Sequence, residues 1–249
     1  GAETGRDAWC YQSSKSALQT NIVRFIEFYN RQNAQFGGGK ISKVEDVIDY
    51  NSRKVSWTSS LISSLKRGKS ILFDEACLAP SIYRPFQKQH LYFSNDLTHR
   101  IGKMRGIFPN ADTENLVIQI SGVGSKNFTA LMSKHLPCLD NVEKGQCFPL
   151  YLYEEPQPDD GLFATDGTPT SLTRRDAITD EGLAHFQAAY PGEEISKEDL
   201  FYYIYGLLHS PEYRERFKNN LAKQLPRIPA VKSFADFAAF RDAGRALGH

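Results

Sequence analysis

The sequence predicts an α+β fold, with helical N- and C-terminal segments around a central mixed or antiparallel β region. Three observations carry this. Apolar residues recur at helical spacing near both ends, and short β-branched or aromatic runs bounded by Pro, Gly or Asn fill the middle. The two kinds of segment also fail to alternate as βαβ units would.

The first helix is read from Leu18, Ile22, Phe25, Ile26 and Tyr29, with Ser13 or Ser14 as N-cap and Gly37-Gly38-Gly39 as its stop. A second helical spacing is Trp57, Leu61, Ile62 and Leu65 within 40–70. Strands are expected at 80–86, 90–94, 115–121 and 147–153. Pro residues within two of these runs place them at sheet edges or strand starts. Residues 154–180 hold few large apolar side chains and read as an exposed excursion. Helix resumes with Ser196-x-x-Asp199, a capping-box pattern before LFYYIYGLLH, and again at Ser233-x-x-Asp236. Between them Pro211 opens a helix expected over 211–224, which LPRIP at 225–229 terminates.

Composition narrows the function classes. The chain has 249 residues, 41% hydrophobic and 24% charged, with formal net charge +1, which suits a folded protein rather than a disordered one. Four cysteines lack CxxC spacing, so a reducing compartment is expected. No apolar run approaches a membrane span, and GAETGRDAWC lacks the order of a signal peptide. Gly1 in place of Met is expected of a piece of something longer. The balanced total hides an asymmetry: residues 61–110 carry +5 and 154–200 carry −9. That is compatible with a polyanion-binding face and a separate solvated one.

Catalytic motifs fail one after another. Gly68-Lys69-Ser70 resembles the tail of a phosphate loop, but Ser63 stands where that motif needs Gly. Gly122-Val123-Gly124-Ser125-Lys126 follows an expected strand, where its amides and Lys126 suit either a phosphate or a plain turn, the turn being favoured. The six histidines show no HExxH pair, and Cys138 and Cys147 read as buried thiols. Neither GxSxG nor Asn-Pro-Pro-Tyr occurs. Two competing readings stay open: a metal-dependent nuclease built on Asp74, Glu75 and Lys88, and a protein-interaction domain using exposed aromatics of 201–205.

The strongest signal is a basic run with polar and aromatic residues interleaved. Lys66, Arg67, Lys69, Arg84, Lys88, Arg100, Lys103 and Arg105 lie within forty residues, with Gln89 and His90 among them. Lys126 and Asn127 join this set from the later loop. Lys and Arg attract phosphates, while Arg, Gln and Asn make two-point contacts to base edges. Both kinds are needed, because phosphate contacts position a reader without telling it the sequence.

SIYRPFQKQHLYF (81–93), FPLYLYEE (148–155) and YIYGLLHSPEYRERFKNNLAKQLPRIP (203–229) resemble the C-terminal target-recognition, or specificity, region of type ISP restriction–modification enzymes. TGRDAWCYQSSKSALQTNIVRFIEFYN (4–30) and LKRGKSILFDEACLAPSIYRPF (65–86) are similar to that family's connecting stretches. The resemblance implies a helical connector on the methyltransferase side over 1–65, then a DNA target-recognition domain with C-terminal helices over 66–249. It implies double-stranded DNA as partner, together with upstream methyltransferase and helicase-like domains of one cytoplasmic chain. The parent's S-adenosylmethionine, ATP and Mg would belong to those domains and its nuclease, leaving no cofactor, no metal and no catalytic residue here. The basic set above then becomes the candidate DNA contact: Arg and Lys on phosphates, with Gln, Asn, Arg and Lys from adjacent loops in the major groove.

Overall fold

Five apolar positions at helical spacing bury together, and they build the first long helix. In the computed structural model, which describes residues 1–37, 43–154 and 172–248, Leu18, Ile22, Phe25, Ile26 and Tyr29 are all buried. The chain begins α1 (Asp7–Cys10), β1 (Tyr11–Gln12), α2 (Lys15–Gly37), α3 (Ser59–Lys66), β2 (Leu78–Arg84) and β3 (Gln87–Tyr92). It continues through β4 (Val117–Ile120), β5 (Ala130–Ser133), β6 (Leu136–Pro137), β7 (Gln146–Pro149), β8 (Tyr151–Glu154) and β9 (Thr173–Asp176). Helices α4 (Asp180–Ala189), α5 (Lys197–His209), α6 (Pro211–Arg216), α7 (Lys218–Leu221) and α8 (Phe234–Gly248) follow. This is the expected α+β arrangement, with helices at both ends and strands between.

The elements form two compact units. The first comprises Gly1–Met104, Asn110–Thr113 and His135–Asn141. The expected boundary between residues 65 and 66 falls inside it. Its sheet has the order β1-β3-β2-β6, antiparallel except for β2 with β6, and β1 joins through Tyr11↔Leu91 and Gln12↔His90. Strand β2 is therefore interior, where Pro80 had argued for an edge. The parity of the ladder explains this. Ile82 gives its carbonyl to Cys138 N–H on the β6 side, so Pro80, two residues earlier, faces that side too. Strand β6 pairs only Ser81 and Ile82, so the missing Pro80 N–H costs no ladder bond.

Helix α3 explains the failed phosphate-loop pattern. Gly68 lies at φ +66°, its N–H donates to Leu65 O, and Lys69 N–H reaches back to Ser64 O at 3.0 Å. Those paired bonds are a Schellman helix stop, which needs glycine for its left-handed backbone. The N-terminal segment is tied in by Arg6, only 3% exposed. Its guanidinium donates to Ser56 O (3.2 Å), Thr58 Oγ1 (2.7 Å) and Leu97 O.

The second unit comprises Arg105–Pro109, Glu114–Lys134 and Val142–His249. Strand β4 is the centre of an antiparallel β5-β4-β7 sheet, and β8 pairs with β9. The run expected as one strand over 147–153 splits at Leu150, after Pro149, which lacks the N–H to extend a ladder. Of the expected excursion over 154–180, residues 155–171 lie outside the described residues, and 173–176 form β9. The expected helix over 211–224 breaks at Phe217 (φ −106°, ψ 13°) into α6 and α7.

Helix α5 is the hub of this unit. Ser196 and Asp199 form the expected capping box, and Phe201, Tyr202, Tyr203 and Tyr205 are buried. The reading of 201–205 as an exposed aromatic interface is thereby overturned: those rings are core. Phe186, Tyr190 and Phe237 pack with Tyr203, whose ring stacks on Phe237 at 4.5 Å. The crossing of α5 with α8 is close enough that a Cβ on Gly206 would collide with the Phe240 carbonyl oxygen, and one on Gly244 with that of Tyr202.

Two outcomes follow from this packing. Gly206→Ala is expected to cost about 3 kcal/mol, read by chemical denaturation, because the obstructing atom is backbone and cannot swing aside. Burial would raise the Asp199 pKa, but Ser196, Arg241 and Arg245 outweigh it and hold the group below its ordinary 3.8. Its stabilising contribution is present above that value and is lost as pH falls through the lower folded one. Asp199→Ala should therefore destabilise at pH 7 by about 1 kcal/mol, the gap to wild type narrowing at pH 2–3 in urea titrations.

Candidate nucleic-acid interface

The β2–β3 hairpin presents the densest group of expected site residues. Arg84 pairs with Gln87 across a two-residue turn, Pro85-Phe86. Proline presets φ for the first turn position, and the second then takes positive φ, here +63° at Phe86. A left-handed backbone normally falls to glycine and costs a side-chain-bearing residue about 1–2 kcal/mol. The Phe86 ring gains no packing in return, being 91% exposed. The pairing register shifts between Ile82 and Arg84, so Tyr83 is a bulge that bends the strand just before its tip. Beyond the turn, Lys88 is exposed and Gln89 and His90 are half-buried.

Most of the remaining cations already have partners. Lys66 lies 3.8 Å from Glu45, Arg100 3.2 Å from Glu3, and Lys69 pairs with Asp96. Arg67 bonds the hydroxyls of Ser63 and Ser64. Arg84 stacks on the Tyr83 ring at 4.5 Å and faces Asp7 and Asp140 at 4.0 and 3.9 Å. Lys88 and Lys103 are exposed with no acidic partner among the described residues. Surface ion pairs of this kind are worth about 0–1 kcal/mol, so a phosphate can replace the carboxylate in them at small cost. The first unit thus holds Lys66, Arg67, Lys69, Arg84, Lys88, Gln89, His90, Arg100 and Lys103.

Arg105, Lys126 and Asn127 belong to the second unit. Arg105 donates to Pro109 O at 3.1 Å. In the 122–126 loop four of the five backbone amides already have partners within the protein. Gly122 N–H donates to Glu143 O, Gly124 N–H to Ala222 O, Ser125 N–H to Gly122 O, and Lys126 N–H to the Glu143 carboxylate at 3.0 Å. A side-chain carboxylate occupies the loop's anion position, and the plain-turn reading holds; the Lys126 and Asn127 side chains remain exposed.

The sequence missed Arg174 and Arg175 on β9. Arg174 stacks over the Tyr151 ring at 4.3 Å, while Arg175 bonds Glu154 at 2.6 Å. Their signal was an Arg pair inside a stretch read as excursion. Arg214 meets neither Glu212 nor Glu215 but donates to Leu208 O at 2.6 Å, closing the C-terminal end of α5. Asp74 caps a short turn by accepting from Ala76 N–H, and Glu75 pairs with Lys15 at 3.1 Å. Among the described residues no three His, Cys, Asp or Glu side chains are grouped to hold a metal ion, and no helix is long and apolar enough to cross a membrane.

The family model of the Type ISP C-terminal specificity domain matches residues 1–249. The chain belongs to this family. No curated protein matches it. Among solved structures, this Type ISP specificity domain is similar to part of the DrdV–DNA complex, with 32% identity and a TM-score of 0.81 over 99% of the chain. It is similar, at 31% identity and TM-score 0.81, to a nuclease-deletion mutant of the Type ISP restriction–modification enzyme LlaGI in complex with a DNA substrate mimic. A third likeness is to the ATP-dependent Type ISP enzyme LlaBIII bound to DNA, at 29% identity and TM-score 0.81. The last two matches cover the whole chain, which spans 22%, 21% and 15% of the three structures in turn.

The strained tip of this specificity domain gives its own test. Phe86→Gly relieves about 1–2 kcal/mol of backbone strain, against about 0.5–1 kcal/mol of added chain entropy for glycine. Thermal unfolding should show equal or higher stability, and a clear loss would mean that the ring packs after all.

Proposed function

We propose that this chain is the double-stranded DNA recognition module of a single-chain, cytoplasmic restriction–modification enzyme. In this reading it selects the target sequence for an upstream adenine methyltransferase and an ATP-dependent motor and nuclease, and it does no chemistry itself. The observation that carries the proposal is the full-length match to the specificity-domain family together with neighbours whose solved structures contain DNA. Exposed cations on the first unit supply the electrostatics. S-adenosylmethionine, ATP and Mg are assigned to the other domains. In support, four of the five 122–126 amides already have partners, and among the described residues no three His, Cys, Asp or Glu side chains are grouped to hold a metal ion. The nuclease reading finds no support in this geometry, since Asp74 is a turn cap and Glu75 is paired with Lys15.

The test is selection of binders from a random duplex pool at moderate salt. A recovered sequence should outcompete random duplex by roughly a thousandfold or more, with affinity falling as salt rises. Lys88→Ala should weaken binding to all duplexes alike and lower the salt slope by about 1. Failure to enrich any sequence would refute recognition, and duplex cleavage by the chain with Mg would refute a non-catalytic role.

A further inference from the structure

Phe86 poses a physical problem that the fold does not answer. A large apolar ring stands in water at the extremity of a hairpin, on a backbone conformation that disfavours it, with a bulge at Tyr83 aiming the strand that carries it. Asparagine or glycine would satisfy the turn at lower cost. Strain retained without internal compensation marks a place where the side chain does something outside the chain.

The hairpin's own chemistry says what it meets. Residues 78–92 include Arg84 and Lys88 and no acidic residue. Lys88 has no acidic partner, and neither the Gln87 nor the Gln89 side chain has a hydrogen-bond partner among the described residues. A two-stranded ribbon is of a size that the DNA major groove admits. A cation, two amides able to bond base edges and an apolar tip suit that groove's mixture of phosphates, polar edges and thymine methyls. The two unengaged amides, which can bond base edges, favour this occupant over an acidic protein surface.

We infer that the β2–β3 hairpin enters the major groove tip first, with Phe86 in apolar contact with base edges and Lys88 on a flanking phosphate. The 5-methyl of a thymine is the expected partner of the ring. This inference rests on the recognition function proposed above and adds the element and residue that carry part of it.

The experiment compares wild type with Phe86→Gly and Phe86→Asn, both of which suit the turn and lack the ring. The probes are the duplex recovered by selection, the same duplex with each thymine replaced in turn by deoxyuridine, and random duplex. Both variants should unfold no earlier than wild type. They should bind the selected duplex roughly tenfold more weakly and random duplex about equally, with the salt slope kept because no charge is lost. At one thymine, deoxyuridine should cost wild type roughly fourfold, the worth of one methyl, and cost the variants nothing. Lost selectivity without any deoxyuridine effect would still support a base contact, placed elsewhere on the base. Variants that keep full selectivity would overturn the inference while leaving recognition intact. A wild-type chain that prefers no duplex would instead refute the recognition function itself.

Discussion

The first unit depends on one buried cation. Arg6 has no carboxylate partner; it spends its donors on two carbonyls and a hydroxyl contributed by residues 56, 58 and 97, and it lies over the Phe25 ring at 5.6 Å. Burial of a charge is tolerable only when its hydrogen bonds are made, and each such bond to a charged donor is worth about 1.5–3 kcal/mol. Desolvation lowers the guanidinium's pKa, but an arginine starts so high that it keeps its proton. Burial also pushes the neighbouring Cys10 thiol up to about 12, so no thiolate neutralises the cation. Segments distant in sequence are thus fastened to one rigid group. Residues 1–65 lie in the same compact unit as the hairpin.

Periodicity made α2 legible, and the Ser196/Asp199 pair made the start of α5 legible, because both signals are local. The strand boundaries were shifted by a few residues for the complementary reason: where a strand ends depends on its partner. Pro80 reads as an edge residue until the short reach of β6 is known, and the run over 147–153 reads as one strand until β7 and β8 are seen to have different partners. The basic run was visible as composition, but not the pairing that neutralises much of it. Lys69 and Asp96 are 27 residues apart, and Arg100 meets Glu3 from the far end of the unit. Arg6 gave no signal at all, since a buried arginine satisfied by carbonyls leaves no matching acid in the sequence. The run over 80–86 reads as one strand; that the chain turns at Pro85-Phe86, with positive φ at Phe86, is a property of the folded backbone.

In the second unit the division of labour is clearer still. Helix α5 is apolar nearly all round, as a helix buried on most faces must be. Glycines let α8 approach it at backbone distance, and the Tyr205 hydroxyl accepts from Met132 N–H on β5, tying the helical layer to the sheet. The tyrosines Tyr190, Tyr203 and Tyr213 spend their hydroxyls on backbone carbonyls at Val231, Pro229 and Arg227. Each polar tip is consumed while its ring fills the core.

A recognition module has to combine a body that does not change with tips that do. Here each unit is fixed by interactions that resist changes of size or charge: glycine contacts at the α5–α8 crossing in one, and a buried guanidinium bonded to two carbonyls and a hydroxyl in the other. The hairpin tip is the opposite case, where the exposed Phe86, Gln87 and Lys88 can each be replaced with little effect on what lies beneath them. Changing target sequence by substitution at such a tip costs the fold almost nothing, whereas changing it through the core would cost the fold itself. Under the proposed function, that separation would let a single scaffold carry different readers, with specificity in side chains that contribute least to its stability.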